Sequence, residues 1–383
     1  MQYNRGPRVR NVPKNHVSER LAQKKRENKP EDYFLSLAHL KDCLEKLRTT
    51  AGLAPGPDGL TFKSLDDKTQ KKMLSRLANL IREKKYQPGK TRLVKIKKED
   101  GSFREIRISN LVDRVASRAA MDALAATIET RFVDWSYAFI KNRSYKDIFE
   151  KIKHDYANGC VFIAKLDICK AFDNVNVRKL RSLLATLNLS PKLFNLVEGI
   201  IYQGINEENT EEENELGIQQ GNSLSGLLFN FYVHELHDKH IRDNLNKYLR
   251  AYRYADDFAF LSNDLDNIKS LLNNSITALS EAGFSCKKSE IIDLRKEKIE
   301  LLGLTVNTIN NNIDFSLSES AISKLTNKLD EALSDHNPSC LQKQTVLGWL
   351  EATSTVSLKD EDRGRLSRLL DAYGLHISHP HLS

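Results

Sequence analysis

"RYADDFAF", residues 253–260, sets Asp256 and Asp257 side by side inside an aromatic, apolar run. Adjacent carboxylates repel, and a strand otherwise built of Tyr254, Phe258 and Phe260 gains nothing by burying them. The wider stretch "YLRAYRYADDFAFLS" (248–262) reads as two short strands around Ala255-Asp256, with Asp256 at the tip of a hairpin. A second apolar strand, "CVFIAKLD" (160–167), ends on Asp167. If these strands are neighbours in one sheet, the carboxylates converge. Such a cluster is costly unless a cation occupies it. Oxygen ligands with no His or Cys nearby select Mg²⁺, and two such ions roughly 4 Å apart suit an in-line phosphoryl transfer.

The rest of the chain is consistent with a soluble globular protein of two or three domains. It has 383 residues, 40% hydrophobic and 29% charged. No apolar run is long enough to span a membrane, and the N-terminus lacks the apolar core of a secretion signal. The five cysteines (Cys43, Cys160, Cys169, Cys286 and Cys340) are odd in number and scattered. That pattern predicts reduced thiols in a cytoplasm and shows no zinc spacing. The net charge of +8 is concentrated in residues 1–30, which hold nine Lys or Arg against two Glu. This arm is either a solvated tail or a strand of cations for phosphates.

Past the arm the pattern is mixed α and β. Leu37, Leu40, Leu44 and Leu47 recur at helical spacing behind Ser36. Leu74, Leu77 and Ile81 mark a second helix that stops near Pro88-Gly89. "TRLVKIKKEDGSFREIRIS" (91–109) reads as a hairpin around a two-residue Asp100-Gly101 turn. "NLVDRVASRAAMDALAATIETRF" and "LSGLLFNFYVHELHDKHI" read as helices, the second after a glycine turn at Gly221. "EENTEEENE" (207–215) is an acidic loop. Ile322, Leu325, Leu329 and Leu333 open a helical C-terminal region. His234, His237 and His240 stand three apart in a helical stretch and read as helix residues rather than a metal site.

Tyr254–Asp257, "YADD", resembles the active-site box of reverse transcriptases, and "KLDICKAFDNV" (165–175) resembles their first catalytic motif. "GIQQGNSLSGLLFN" (217–230) is similar to the loop and helix between those motifs, in the family's order. "GPDGLT", "IKKEDGSFREIRI", "DRVASRA" and "SYAFIKNRS" (136–144) look like fingers segments, and "GFSCKKS" and "ELLGLTV" like the last palm motifs.

The resemblance implies an α+β right-hand polymerase. Its parts are a basic arm (1–30), fingers (31–150), a palm of antiparallel sheet and helices (151–310) and a helical thumb (311–383). It further implies that Asp167, Asp256 and Asp257 hold two Mg²⁺, with Mn²⁺ a possible substitute. Phe172 becomes the gate against a 2′-hydroxyl. Lys98 and Arg104 become the triphosphate cations, Gln220 and Gly221 the loop under the nascent pair, and Lys288 a donor to departing pyrophosphate. The implied partners are an RNA template, a DNA product and dNTPs.

Three family prolines are replaced here. "PQG" is Gln219-Gln220-Gly221, "SP" is Ser225-Gly226, and the fingers "IP" is Ile108-Ser109. The retron "VTG" signature is absent, with Leu301-Leu302-Gly303 in its place. The expectation is a free-standing prokaryotic enzyme related to group II intron and abortive-infection reverse transcriptases. Such enzymes often serve antiphage defence with a dedicated noncoding RNA. Three other readings stay open: a template-independent or protein-primed DNA polymerase, a maturase-like RNA binder that needs no catalysis, and an RNA-dependent RNA polymerase.

Overall fold

The computed structural model describes residues 33–50, 54–97, 103–203, 216–333, 342–343, 345–347, 350 and 360–377. The basic arm, Lys98, the Asp100-Gly101 turn and the acidic loop 207–215 lie outside the described residues.

Three helices make the first packed unit: α1 (Leu37–Thr50), α2 (Asp67–Arg82) and α3 (Leu111–Ile128). Ser36 Oγ accepts the His39 N–H and caps α1. Asp66 does the same for α2 through Thr69, at 2.6 Å. Leu74, Leu77, Ala78 and Ile81 bury one face of α2, as their spacing predicts. Between α2 and α3 runs the hairpin β1 (Arg92–Lys97) and β2 (Phe103–Ile108). Its register pairs Lys97 with Phe103. The Asp100-Gly101 turn expected between the two strands lies outside the described residues.

The central sheet is antiparallel, in the order β4-β5-β3-β6. Its strands are β3 (Phe162–Asp167), β4 (Leu249–Tyr254), β5 (Asp257–Ser262) and β6 (Glu290–Asp293). Ile163, Ala164 and Leu166 of β3 and Phe258, Ala259, Phe260 and Leu261 of β5 are all buried. Burying each large side chain contributes roughly 1.5–3 kcal/mol. Helix α4 (Tyr145–Ala157) precedes β3, and α5 (Val177–Ala185) and α6 (Pro191–Tyr202) follow it. Helix α7 (Ser225–Val233) runs on through a π-turn, His234–Asp238, into Lys239–Arg242. Helix α8 (Leu265–Glu281) lies across β3 and β5.

A second sheet, β7 (Ile299–Leu301), β8 (Leu304–Ile309) and β9 (Asn312–Leu317), packs on α4, where the Phe149 and Phe315 rings meet at 5.0 Å. Strand β9 has no counterpart in the sequence reading, and the hairpin it forms with β8 runs across residue 310. Helices α9 (Glu319–Ala332) and α10 (Asp360–Ala372) follow. Leu325 and Leu329 are buried, whereas Leu333 is exposed. No helix among the described residues is long and apolar enough to cross a membrane.

Candidate active site

The sheet order brings the three aspartates to one edge. Asp167, last residue of β3, pairs directly with Asp257, first residue of β5. Asp256 sits in the turn between β4 and β5, and its carbonyl accepts the Ile168 N–H at 3.3 Å. Ala255 takes the left-handed conformation (φ 56°), which lets the chain reverse in two residues. All three carboxylates are partly buried.

The negative charge is only partly balanced. Burial first, then Asp256 and Asp167, push the Asp257 carboxyl up to about 6. A cation reaches the group directly, Lys287, whose Nζ lies 2.6 Å from Asp167 Oδ2, and Lys165 acts on Asp257 from farther off. The Lys287 N–H also donates to the Asp167 carbonyl at 2.8 Å. The adjacent Lys288 is exposed. The donor set is therefore all hard oxygen and crowded with like charge, and it suits a hard divalent cation.

Asp257 yields a stability prediction. Its pKa rises from 3.8 unfolded to about 6 folded, so the folded chain binds the proton more tightly. In metal-free buffer, stability is then greatest below about pH 4 and falls as pH rises towards 6. The loss is on the order of 2–3 kcal/mol. Asp257→Asn is expected to raise the urea midpoint at about pH 8 and to leave it nearly unchanged at about pH 4. An equal change at both pH values would contradict the prediction.

Beneath the turn is a buried ionic network. The Arg253 guanidinium, fully buried, donates to both Asp238 carboxylate oxygens (Nε at 3.2 Å to each, Nη2 at 2.5 Å to Oδ2). It also donates to Asn230 Oδ1 at 2.7 Å and to the Ala255 carbonyl at 3.2 Å. The last bond fixes the reversal that carries Asp256. Burial works to raise the Asp238 pKa, but the Arg253 charge and the contacts from His237 and Arg253 together outweigh it and hold the carboxyl below its ordinary value. The π-turn turns both His237 and Asp238 inward, where His237 also meets Ser275 Oγ at 2.6 Å. His234 is buried against Phe132 and His240 is exposed, so the three histidines do not converge.

Phe172 is half-buried beside this edge. Its ring stacks on Phe229 at 4.8 Å and meets Phe139 edge-on at 6.4 Å. The Phe172 carbonyl accepts the Ile218 N–H, which ties the 217–222 loop to the first motif. Gln220 Nε2 donates to Asp173 Oδ1 at 3.2 Å. Gly221 (φ 96°) lies against the fingers hairpin, and a Cβ there would stand 3.1 Å from Ile106. Arg104 lies on β2; Lys98 is outside the described residues. The segment after Trp135 joins the edge of β4, with Tyr137 N–H on the Arg253 carbonyl and Arg253 N–H on that of Trp135.

Comparison with known proteins gives this geometry its family. Residues 96–306 match the model for "Reverse transcriptase (RNA-dependent DNA polymerase)". The chain belongs to the reverse transcriptase family. It is 26% identical over 217 residues to the group II intron-encoded protein LtrA of Lactococcus lactis, covering 55% of this chain and 36% of that one. It is 26% identical over 201 residues to YkfC of Escherichia coli, covering 50% and 52%. A putative COX1/OXI3 intron 2 protein of Saccharomyces cerevisiae is 24% identical over 233 residues, covering 60% and 25%. The match thus spans between a quarter and about half of these relatives' length. Among solved structures, apo telomerase of Candida tropicalis is similar at 14% identity and TM-score 0.47, over 75% of this chain and 62% of that one. The family match, with the antiparallel sheets and helices described above, gives the α+β right-hand polymerase fold that the sequence resemblance implied.

The replaced prolines have structural partners in this reverse transcriptase fold. Gln219 Nε2 donates to the Arg107 carbonyl at 2.8 Å and lies 3.4 Å from Ser109 Oγ. Two of the three replacements therefore touch, and together they join the palm-side loop to the fingers strand. At the third, a Cβ on Gly226 would stand 2.5 Å from the Phe139 ring, so the ring occupies the room a proline would need. Phe139 itself is left-handed (φ 57°) and 53% exposed. Lys287, Phe139 and the Arg253 network were not singled out from sequence, and Gln219 was noted there only as a replaced proline.

Proposed function

We propose that this chain is an RNA-directed DNA polymerase, adding dNTPs to a primer 3′-end on an RNA template. The observation that carries the reading is the meeting of Asp167, Asp256 and Asp257 at one sheet edge, beside Phe172 and the Gln220-Gly221 loop, within a reverse transcriptase domain. In this reading the three aspartates hold two Mg²⁺, or Mn²⁺ in their place. Bound there, the ions supply charge stabilisation for the attacking and leaving oxygens of phosphoryl transfer.

The remaining roles belong to the chain's own side chains. Phe172, backed by the Phe229 ring, closes the space a ribose 2′-hydroxyl would fill. The Gln220-Gly221 backbone lies under the nascent pair. Arg104 and Lys98 take the triphosphate as charge partners. Lys287, whose amine already reaches Asp167, is better placed than Lys288 to meet a departing phosphate. Fingers, palm and thumb take residues 31–150, 151–310 and 311–383, with the second sheet, through its β8–β9 hairpin, running past the palm boundary to Leu317. The basic arm contributes phosphate contacts. A structured noncoding RNA as template and a role in antiphage defence complete the reading. They rest on the resemblance of the sequence motifs to abortive-infection enzymes and on the likeness to group II intron-encoded proteins.

The test is single-nucleotide addition opposite a known RNA base. Wild type is expected to prefer the complementary dNTP over the rNTP. Phe172→Ala is expected to narrow that preference by about 10–100-fold, chiefly by admitting rNTP. An unchanged preference would remove Phe172 from the sugar site. Equal use of rNTP by the wild type would favour an RNA polymerase.

A further inference from the structure

Far along the chain from the aspartates, α1 and α3 bring three metal-binding side chains together. His39 and Cys43 stand one helical turn apart on α1, and Asp122 faces them from α3. Cys43 Sγ is 3.4 Å from His39 Nε2 and 3.9 Å from Asp122 Oδ2, and His39 Nε2 is 3.7 Å from the same oxygen. The His39 side chain and Cys43 are fully buried, and the Asp122 side chain is 12% exposed.

The dimensions are those of a coordination sphere. A triangle with these sides has its corners about 2.1 Å from a common centre, the length of Zn–N and Zn–O bonds. Zn–S bonds are slightly longer, which sets an ion just out of the plane, as tetrahedral geometry requires. The Asp122 carboxylate is held in the orientation a ligand needs, because Arg118 Nε binds Oδ1 at 3.1 Å and leaves Oδ2 turned to the cluster. Lys46, at the rim, pairs with Asp42 at 3.0 Å and stands farther off, 3.9 Å, from Asp122 Oδ2, a contact an ion would replace. One thiolate and one carboxylate neutralise a dication, while imidazole supplies a neutral third ligand.

We infer that His39, Cys43 and Asp122 form a Zn²⁺ site that staples α1 to α3, with water as fourth ligand. Binding breaks the Cys43 S–H bond, forms an S–Zn bond and releases the proton to solvent. The cysteine spacing alone gives no hint of it, because only one cysteine takes part and Asp122 is 79 residues away.

The test uses the full chain with Zn²⁺ and Co²⁺ salts as probes. About one Zn²⁺ per chain is expected to survive dialysis against metal-free buffer. Co²⁺ is expected to give a thiolate-to-cobalt charge-transfer band with four-coordinate ligand-field bands. Cys43→Ser should lose the charge-transfer band, and His39→Gln should weaken metal retention. Asp256→Asn should keep the band, which separates this site from the carboxylate cluster. Zn²⁺ should also raise the thermal midpoint of the wild type but not of Cys43→Ser. Absence of the band at saturating Co²⁺ overturns the proposal. So does a band that survives Cys43→Ser, which would belong to another thiol, such as Cys169 or Cys286, which lie close to each other. If Cys43→Ser does not fold, the wild-type spectrum still decides, and Cys169→Ser must leave it unchanged.

Discussion

Asp256→Asn is expected to reduce nucleotide addition by at least about 10³-fold, a barrier increase of about 4 kcal/mol. The substitution keeps the size and shape of the side chain and removes its charge. The backbone contacts of the turn survive, since the Asp256 carbonyl and not its carboxylate receives Ile168 N–H. The reversal at Ala255 also survives, because Arg253 holds it from beneath. The fold and RNA affinity should therefore match wild type while catalysis is lost. The checks are primer extension, RNA binding and thermal unfolding on the same preparation. Near-normal extension by the variant would mean that Asp256 does not bind the ions. Full biological function by a silent variant would instead favour the RNA-binding reading.

The second large effect is on stability. Asp238→Ala leaves the Arg253 charge fully buried with only neutral partners, Asn230 and the Ala255 carbonyl. Removing one member of a buried ion pair costs about 3–5 kcal/mol. A large part of that cost is the stranded charge, so Asp238→Ala combined with Arg253→Met is expected to recover much of it. Extension should not recover with it, because the double variant lacks the bond to the Ala255 carbonyl that sets the turn. Urea unfolding of both variants, with extension rates alongside, measures the two effects separately. A single-variant loss under about 1 kcal/mol would show that water or a shifted side chain satisfies Arg253.

The aspartates, Phe172 and the Gln220-Gly221 loop were legible because each lies within a short local pattern. A strand ending in Asp, an aromatic five residues on and an Asp-Asp turn need no knowledge of distant neighbours. What stayed hidden depends on strand phase or on long-range pairing. Lys287 and Lys288 are equivalent in composition. Only the backbone bond from Lys287 to Asp167 decides which amine meets the cluster, and alternation along an extended chain sends its neighbour elsewhere. Gln219 and Ser109 stand 110 residues apart, so their contact leaves no local trace. Strand β9 did have a signal. Asn310 and Asn311 both have positive φ in a two-residue turn between Ile309 and Asn312, the geometry that asparagine favours. The inward placement of Asp238 follows from a π-turn, which 3.6-residue periodicity does not anticipate.

The most direct test of the central claim is to give the purified full chain a primer on an RNA template of defined sequence, with Mg²⁺ and all four dNTPs, and to sequence the product. DNA complementary to that RNA, absent without template and absent with Asp256→Asn, is the predicted result. DNA of a sequence unrelated to the RNA, or equal synthesis without it, would contradict RNA-directed polymerisation and point to template-independent synthesis.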